Sequence, residues 1–270
     1  MKPIYALLLS TVFFFSQCST GSQPSDPIPA HETIKIQSKQ LGEERVINIW
    51  TAESYKNSSE PLPVMYMADG GIQEDFPHIA NTLAKLIAEK KIKPLILVGI
   101  ENTERRRDLS GPTEVAKDRE IAPVVGGSAK FRAFIKEELF PEINQRYRTT
   151  EEKSIIGESL SGLFVMETFF TAPDMFDQYI AFDPSLWWNN QYLIRTADDH
   201  LSKFPDEPKR LWFAGSDASD ISVHCKALAA LLTKGQYPNL TWTFSDEPNE
   251  KHHTIFRATK EKAISWALGQ

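Results

Sequence analysis

Ser159 is placed to do chemistry. It lies in Lys-Ser-Ile-Ile-Gly-Glu-Ser-Leu-Ser-Gly-Leu-Phe, residues 153–164, where the apolar pair Ile155-Ile156 ends at Gly157 and an amphipathic stretch begins at Leu160. That layout predicts a nucleophile elbow, a sharp strand-to-helix turn that lifts a serine hydroxyl above the edge of a sheet. The turn needs small neighbours. Gly157 stands two before the serine, while Ser161 takes the usual glycine position two after it and Gly162 follows, giving G-x-S-x-S-G. A serine hydroxyl is a weak nucleophile and requires a base within hydrogen-bond reach. Behind such elbows the chain order is serine, acid, histidine, which here means Ser159, then Asp217 or Asp220, then His252 or His253. Asp217, nearer its strand end, is the first choice of acid; Asp220 is placed to cap the next helix instead. An oxyanion hole needs two backbone N–H groups. Leu160 supplies one, and the segment Gly70-Gly71-Ile72, where glycine lets the backbone come close, supplies the other.

The elements that must position these residues follow from periodicity. Thr33–Ile36 and Arg45–Trp50 read as antiparallel strands joined through Gly42, and Pro63–Met67, Pro94–Gly99, the elbow strand, Gln178–Phe182, Leu211–Ala214 and Thr241–Phe244 as further strands. Helical spacing marks Asn81–Lys91, Ala129–Gln145, the stretch after Ser159, a stretch after Asn189, Ser222–Lys234 and Thr254–Leu268. This alternation predicts an α/β fold, a mostly parallel sheet of about eight strands with helices on both faces; the elbow and its serine–acid–histidine order are those of the α/β-hydrolase type. Ligands bind such sheets at the carboxyl ends of the strands. There lie Asp69-Gly70-Gly71, Glu101–Arg107, Ser159, Asp183–Trp188, Gly215–Asp220 and Glu247–His253.

Composition narrows the function. The 270 residues carry a formal net charge of −6, which argues against nucleic acid as a partner. Two cysteines, Cys18 and Cys225, make neither a disulfide framework nor a metal cluster, and no spacing among the six histidines reads as a zinc site. Lys2, the apolar run Leu7–Phe15 and Phe15-Ser16-Gln17-Cys18 read as a signal peptide over 1–18, ending in a lipobox-like sequence with an unusual Gln17. The expected product is an exported bacterial protein, periplasmic or membrane-anchored through a lipid on Cys18. Residues 19–31, rich in Ser, Pro and Gly, read as a flexible tether to a domain spanning 32–270. Cys225 is then expected as a buried free thiol.

Several stretches together resemble the esterase family that includes enterochelin (ferric-siderophore) esterases, feruloyl esterases and mycolyltransferases, within the α/β-hydrolase superfamily. Met65–Gly70 looks like its strand ending in Asp-Gly, and Ile100–Ser110 resembles its E-N-T-x-R-x-R-D loop. Gly126–Phe131 and Tyr147-Arg148-Thr149 resemble the entry and exit of its next helix. Gly157–Phe164 is similar to its G-H-S-x-G-G-L-F elbow, with Glu158 for His and Ser161 for Gly. Asp183–Trp188 resembles S-P-S-L-W-W, and Asn249–Ile255 resembles the histidine loop, whose spacing selects His252. The resemblance implies Ser159 as nucleophile, His252 as base, ester hydrolysis through an acyl-enzyme, and no cofactor or metal. Siderophore lactones or aromatic acyl esters are the implied small-molecule substrates. Trp187 and Trp188 are candidates to stack on an aromatic acyl group, and Arg105, Arg106 and above all Arg107 to steer an anionic substrate such as a catecholate complex. An acyltransferase with the same nucleophile and a non-catalytic binding protein are the rival readings.

Overall fold

The computed structural model describes residues 26–269; the signal peptide, Cys18 and the first part of the expected tether lie outside them. The sheet comprises β1 (Glu32–Gln37), β2 (Glu44–Thr51), β3 (Leu62–Met67), β4 (Ile96–Ile100), β5 (Thr149–Glu158), β6 (Gln178–Phe182), β7 (Lys209–Gly215) and β8 (Leu240–Asp246), in the order β1-β2-β4-β3-β5-β6-β7-β8. β1 pairs antiparallel with β2, and β2 with β4; all other pairs are parallel. The helices are α1 (Phe76–Ala88), α2 (Arg105–Asp108), α3 (Ala116–Ile121), α4 (Ser128–Phe134), α5 (Phe140–Arg146), α6 (Leu160–Thr171), α7 (Trp188–Arg195), α8 (Ala197–Leu201), α9 (Ser219–Lys234) and α10 (Ile255–Leu268).

The central strands are apolar at successive positions because both faces are covered. Adjacent side chains point to opposite faces. Ile155, Val64, Tyr66, Leu211 and Phe213 therefore enter one core with residues of α4, α5, α6 and α9. Ile156, Met65, Met67, Trp212 and Ala214 enter the other, covered by α1 and α10. Cys225 is buried on α9 and forms no disulfide among the described residues.

Two helices differ from expectation. The helix predicted over Ala129–Gln145 is divided by a π-helical turn at Ile135–Leu139. Pro141, which follows it, has no N–H to donate back one turn, so the regular ladder cannot run through. α1 starts at Phe76, before the predicted Asn81, with Pro77 in its first turn, and it ends where Lys90 takes φ 56°. Within the expected tether, residues 26–31 touch the domain. Asp26 pairs with Arg257 at 2.6 Å, the Pro27 carbonyl accepts from Asn81 at 2.8 Å, and the His31 ring packs edge-on against Phe76.

Candidate active site

β5 delivers Ser159 into a turn with φ 58° and ψ −113°, a conformation costly for a residue with a side chain. The surroundings enforce it. A Cβ on Gly157 would lie 2.7 Å from backbone atoms of Ser161, and one on Gly162 would lie 3.0 Å from the Phe182 carbonyl. Ser161 fits where a glycine was expected. Its hydroxyl accepts the Glu158 N–H at 2.8 Å and donates to the Glu158 carbonyl at 2.9 Å, lacing the elbow instead of crowding it.

His252, on the loop between β8 and α10, brings Nε2 to 3.1 Å from Ser159 Oγ. Its Nδ1 lies 2.9 Å from Oδ2 of Asp183, which directly follows β6. Asp183 is fully buried. Its Oδ1 accepts the Ser216 N–H at 2.6 Å, its Oδ2 accepts the Ser216 hydroxyl at 2.6 Å, and its own N–H donates to Ala214 across the sheet at 3.0 Å. The hydrogen bond to Asp183, helped by the negative charge of Glu158, raises the His252 pKa above its ordinary value against the effect of burial. His253, the alternative, is exposed to solvent.

Neither expected acid stands behind the histidine. Asp217 is exposed; its N–H donates to the Glu250 carbonyl at 2.9 Å and its carboxylate pairs with Lys251, so it fastens the histidine loop from outside. Asp220 lies in the first turn of α9, exposed, without a capping bond. The usual chain order placed the acid after β7, whereas here β6 ends one strand closer to the elbow and supplies it. The signal was present in Asp183-Pro184-Ser185, where an aspartate replaces the first serine of the family pattern.

The oxyanion donors also need correction. The Gly70 N–H donates to the Ile100 carbonyl at 3.0 Å, and the Gly71 N–H to the Glu74 carboxylate at 2.7 Å. Both are consumed. Gly70 is required for packing, since a Cβ there would lie 2.2 Å from the Ile100 nitrogen. The remaining donors of the expected set are Leu160 at the start of α6 and Ile72, neither of which donates to a protein acceptor among the described residues.

The pocket candidates divide. Trp188 is buried, and its Nε1 donates to the Gly111 carbonyl at 3.1 Å, which makes it a packing residue. Trp187 is partly exposed and lines a cleft of about 520 Å³ with Ile121, Asp220 and His224. Arg107 is held by Glu43 at 2.6 Å and Asp108 at 2.7 Å, which raise its pKa and take its charge out of play for a substrate. Arg105 forms a two-pronged pair with Asp69 at 2.6 and 2.8 Å. Arg106 is exposed.

Strand order, the sharp turn after β5 and the histidine loop after β8 together define an α/β-hydrolase. Within that class the chain belongs to the esterase family: the model described as "Putative esterase" matches residues 38–254. It is 27% identical over 273 residues to the ferri-bacillibactin esterase BesA of Bacillus subtilis, covering 92% of this chain and 93% of that protein. It is 30% identical over 192 residues to the siderophore triacetylfusarinine C esterase of Aspergillus fumigatus, covering 66% of this chain and 63% of that protein. Among solved structures, an IroE-like serine hydrolase from Shewanella oneidensis superposes with a TM-score of 0.79 at 27% identity, over 88% of this chain and 80% of the other. The protein is a carboxylic ester hydrolase.

Proposed function

We propose that the protein is a serine esterase that works through an acyl-enzyme on siderophore esters. The observation that carries this is the continuous relay of Ser159, His252 and Asp183, at 3.1 and 2.9 Å. His252 Nε2 takes the Ser159 proton as Oγ attacks the ester carbonyl, while buried Asp183 keeps the other ring proton on Nδ1 and balances the imidazolium. The backbone N–H groups of Leu160 and Ile72, which donate to no protein acceptor among the described residues, are the donors for the developing oxyanion. His252 then returns the proton to the leaving alcohol, and water, activated by the same nitrogen, releases the acid. The siderophore reading is supported by the two curated relatives, whose names place them on ferri-bacillibactin and triacetylfusarinine C. Export, with a lipid on Cys18, belongs to the same proposal and is supported by the pattern of residues 1–18.

The test is hydrolysis of short-chain nitrophenyl esters by the wild type and Ser159→Ala, together with labelling by a fluorophosphonate. Turnover and labelling that both vanish in the variant support the reading. Equal turnover in the two proteins would remove Ser159 from the mechanism. Release of the siderophore alcohol from a lactone by the wild type alone would extend the reading to the natural substrate class.

A further inference from the structure

Glu158 immediately precedes the nucleophile, at the position where the family pattern has histidine. It is half-buried, and its carboxylate has neither a hydrogen-bond nor an ion-pair partner among the described residues. The groups that face it are mostly of its own sign. Asp69 comes from the end of β3, Asp75 from the turn into α1 and Asp183 from the end of β6; His252 faces it from the β8 loop and Arg105 from the start of α2.

Of the three arginines of α2, two are already committed, while Arg106 is exposed and lies in no ion pair among the described residues. Arg105 is neutralised by its two-pronged pair with Asp69, and Arg107 by Glu43 and Asp108. Asp75 meets His78 at 2.9 Å, but burial lowers the pKa of that imidazole and favours its neutral form. Among the described residues the Glu74 carboxylate accepts only from the uncharged Gly71 N–H and Asn102 amide. The loop after β3 therefore brings Glu74 and Asp75 to this rim, neither in an ion pair with an arginine or lysine among the described residues; Lys260 reaches His78 at 3.2 Å instead.

We propose that Glu158 is a specificity-determining residue that makes the Ser159 site select neutral or cationic esters and disfavour those bearing negative charge beside the scissile bond. This rests on Ser159 being the nucleophile. A lactone with protonated iron-binding groups, or within an uncharged ferric complex, suits the site; a ferric tris-catecholate, a multiply charged anion, does not. A unit charge about 8–10 Å from an anionic substrate group, at an effective dielectric of about 20, alters affinity on the order of ten-fold at low salt, less as salt screens it. Burial, together with these neighbouring carboxylates, pushes the Glu158 carboxyl up to about 7, consistent with a site already crowded with negative charge.

The test compares kcat/KM for nitrophenyl butyrate, which is neutral, and nitrophenyl hemisuccinate, which is anionic, in the wild type and in Glu158→Gln at low and high salt, at a pH of about 8.5 where Glu158 is ionised. The ratio of the two cancels any change common to both esters, and thermal midpoints establish that the variant is folded. The wild type should favour the neutral ester, and Glu158→Gln should shift the ratio toward the anion by roughly ten-fold, with the shift shrinking in salt. An unchanged ratio, or a wild type that favours the anion, overturns the proposal. Should neither ester turn over and the fluorophosphonate fail to label, it is the esterase reading that fails. The charge rule is then decided by calorimetric binding of N-benzoylserine and its methyl ester to the same two proteins. A preference for the methyl ester that weakens in Glu158→Gln supports it, and identical preferences overturn it.

Discussion

Asp183→Asn probes the relay at its buried end. The two carboxylate oxygens face different partners: Oδ1 receives the Ser216 backbone N–H, and Oδ2 receives the Ser216 hydroxyl and faces His252 Nδ1. An asparagine must place its carbonyl oxygen where the backbone N–H points, because that donor cannot turn. Its NH2 group then faces His252 Nδ1, which has to accept. The ring proton is driven to Nε2 and points at Ser159, so the neutral ring can no longer take the serine proton. The lost charge alone is worth about 3 kcal/mol for groups about 5 Å apart at an effective dielectric of about 20, or roughly a hundredfold. The reversed tautomer takes the expected fall in kcat to on the order of 10³–10⁴. Asp217→Asn, which removes only an exposed pair with Lys251, should change kcat by less than about three-fold. Steady-state hydrolysis of a nitrophenyl ester, with thermal midpoints to confirm folding, measures both. A loss below about ten-fold in Asp183→Asn, or a larger loss in Asp217→Asn, would refute the reasoning.

Arg107→Ala should lower the unfolding free energy measured in urea by about 1–3 kcal/mol while leaving KM for a neutral ester unchanged, because its guanidinium is spent on Glu43 and Asp108. Gly157→Ala puts a methyl group 2.7 Å from the Ser161 backbone and should abolish both elbow geometry and activity. Ser161→Gly removes two short bonds to Glu158 and should cost only about 1–2 kcal/mol on a thermal melt. The His252 pKa is raised and its neutral form is the base, so the acid limb of kcat/KM should lie above the ordinary histidine value of 6.5 and move down in Asp183→Asn. The wild-type rate ratio of anionic to neutral ester should climb as pH falls through about 7, where Glu158 takes up its proton, and should stay flat in Glu158→Gln.

Local patterns carried much of the fold and part of the site. The central strands are legible as short apolar runs because both of their faces are buried, and the elbow because a strained serine turn tolerates only small neighbours at Gly157, Ser161 and Gly162. The order of strand and helix, with Ser159 before His252, is written in the chain itself. The short helices α2 and α3 and the π-helical turn before Pro141 left no such pattern, since too few residues repeat to set a period.

What only the tertiary structure decided is which groups meet and which are already spent. Asp183 and Asp217 both follow strands at the same rim, and no spacing along the chain distinguishes them; the lateral order β5-β6-β7-β8 does, by setting Asp183 between the elbow and Ser216. The glycines after β3 looked like oxyanion donors until Ile100 and Glu74 were found to accept their N–H groups. Arg105 and Arg107 looked like anion binders until Asp69, Glu43 and Asp108 were found beside them. Sequence sets the chemistry a side chain can offer. Whether that chemistry remains free depends on partners distant in the chain, because a hydrogen bond or charge already paired within the fold is lost to the substrate.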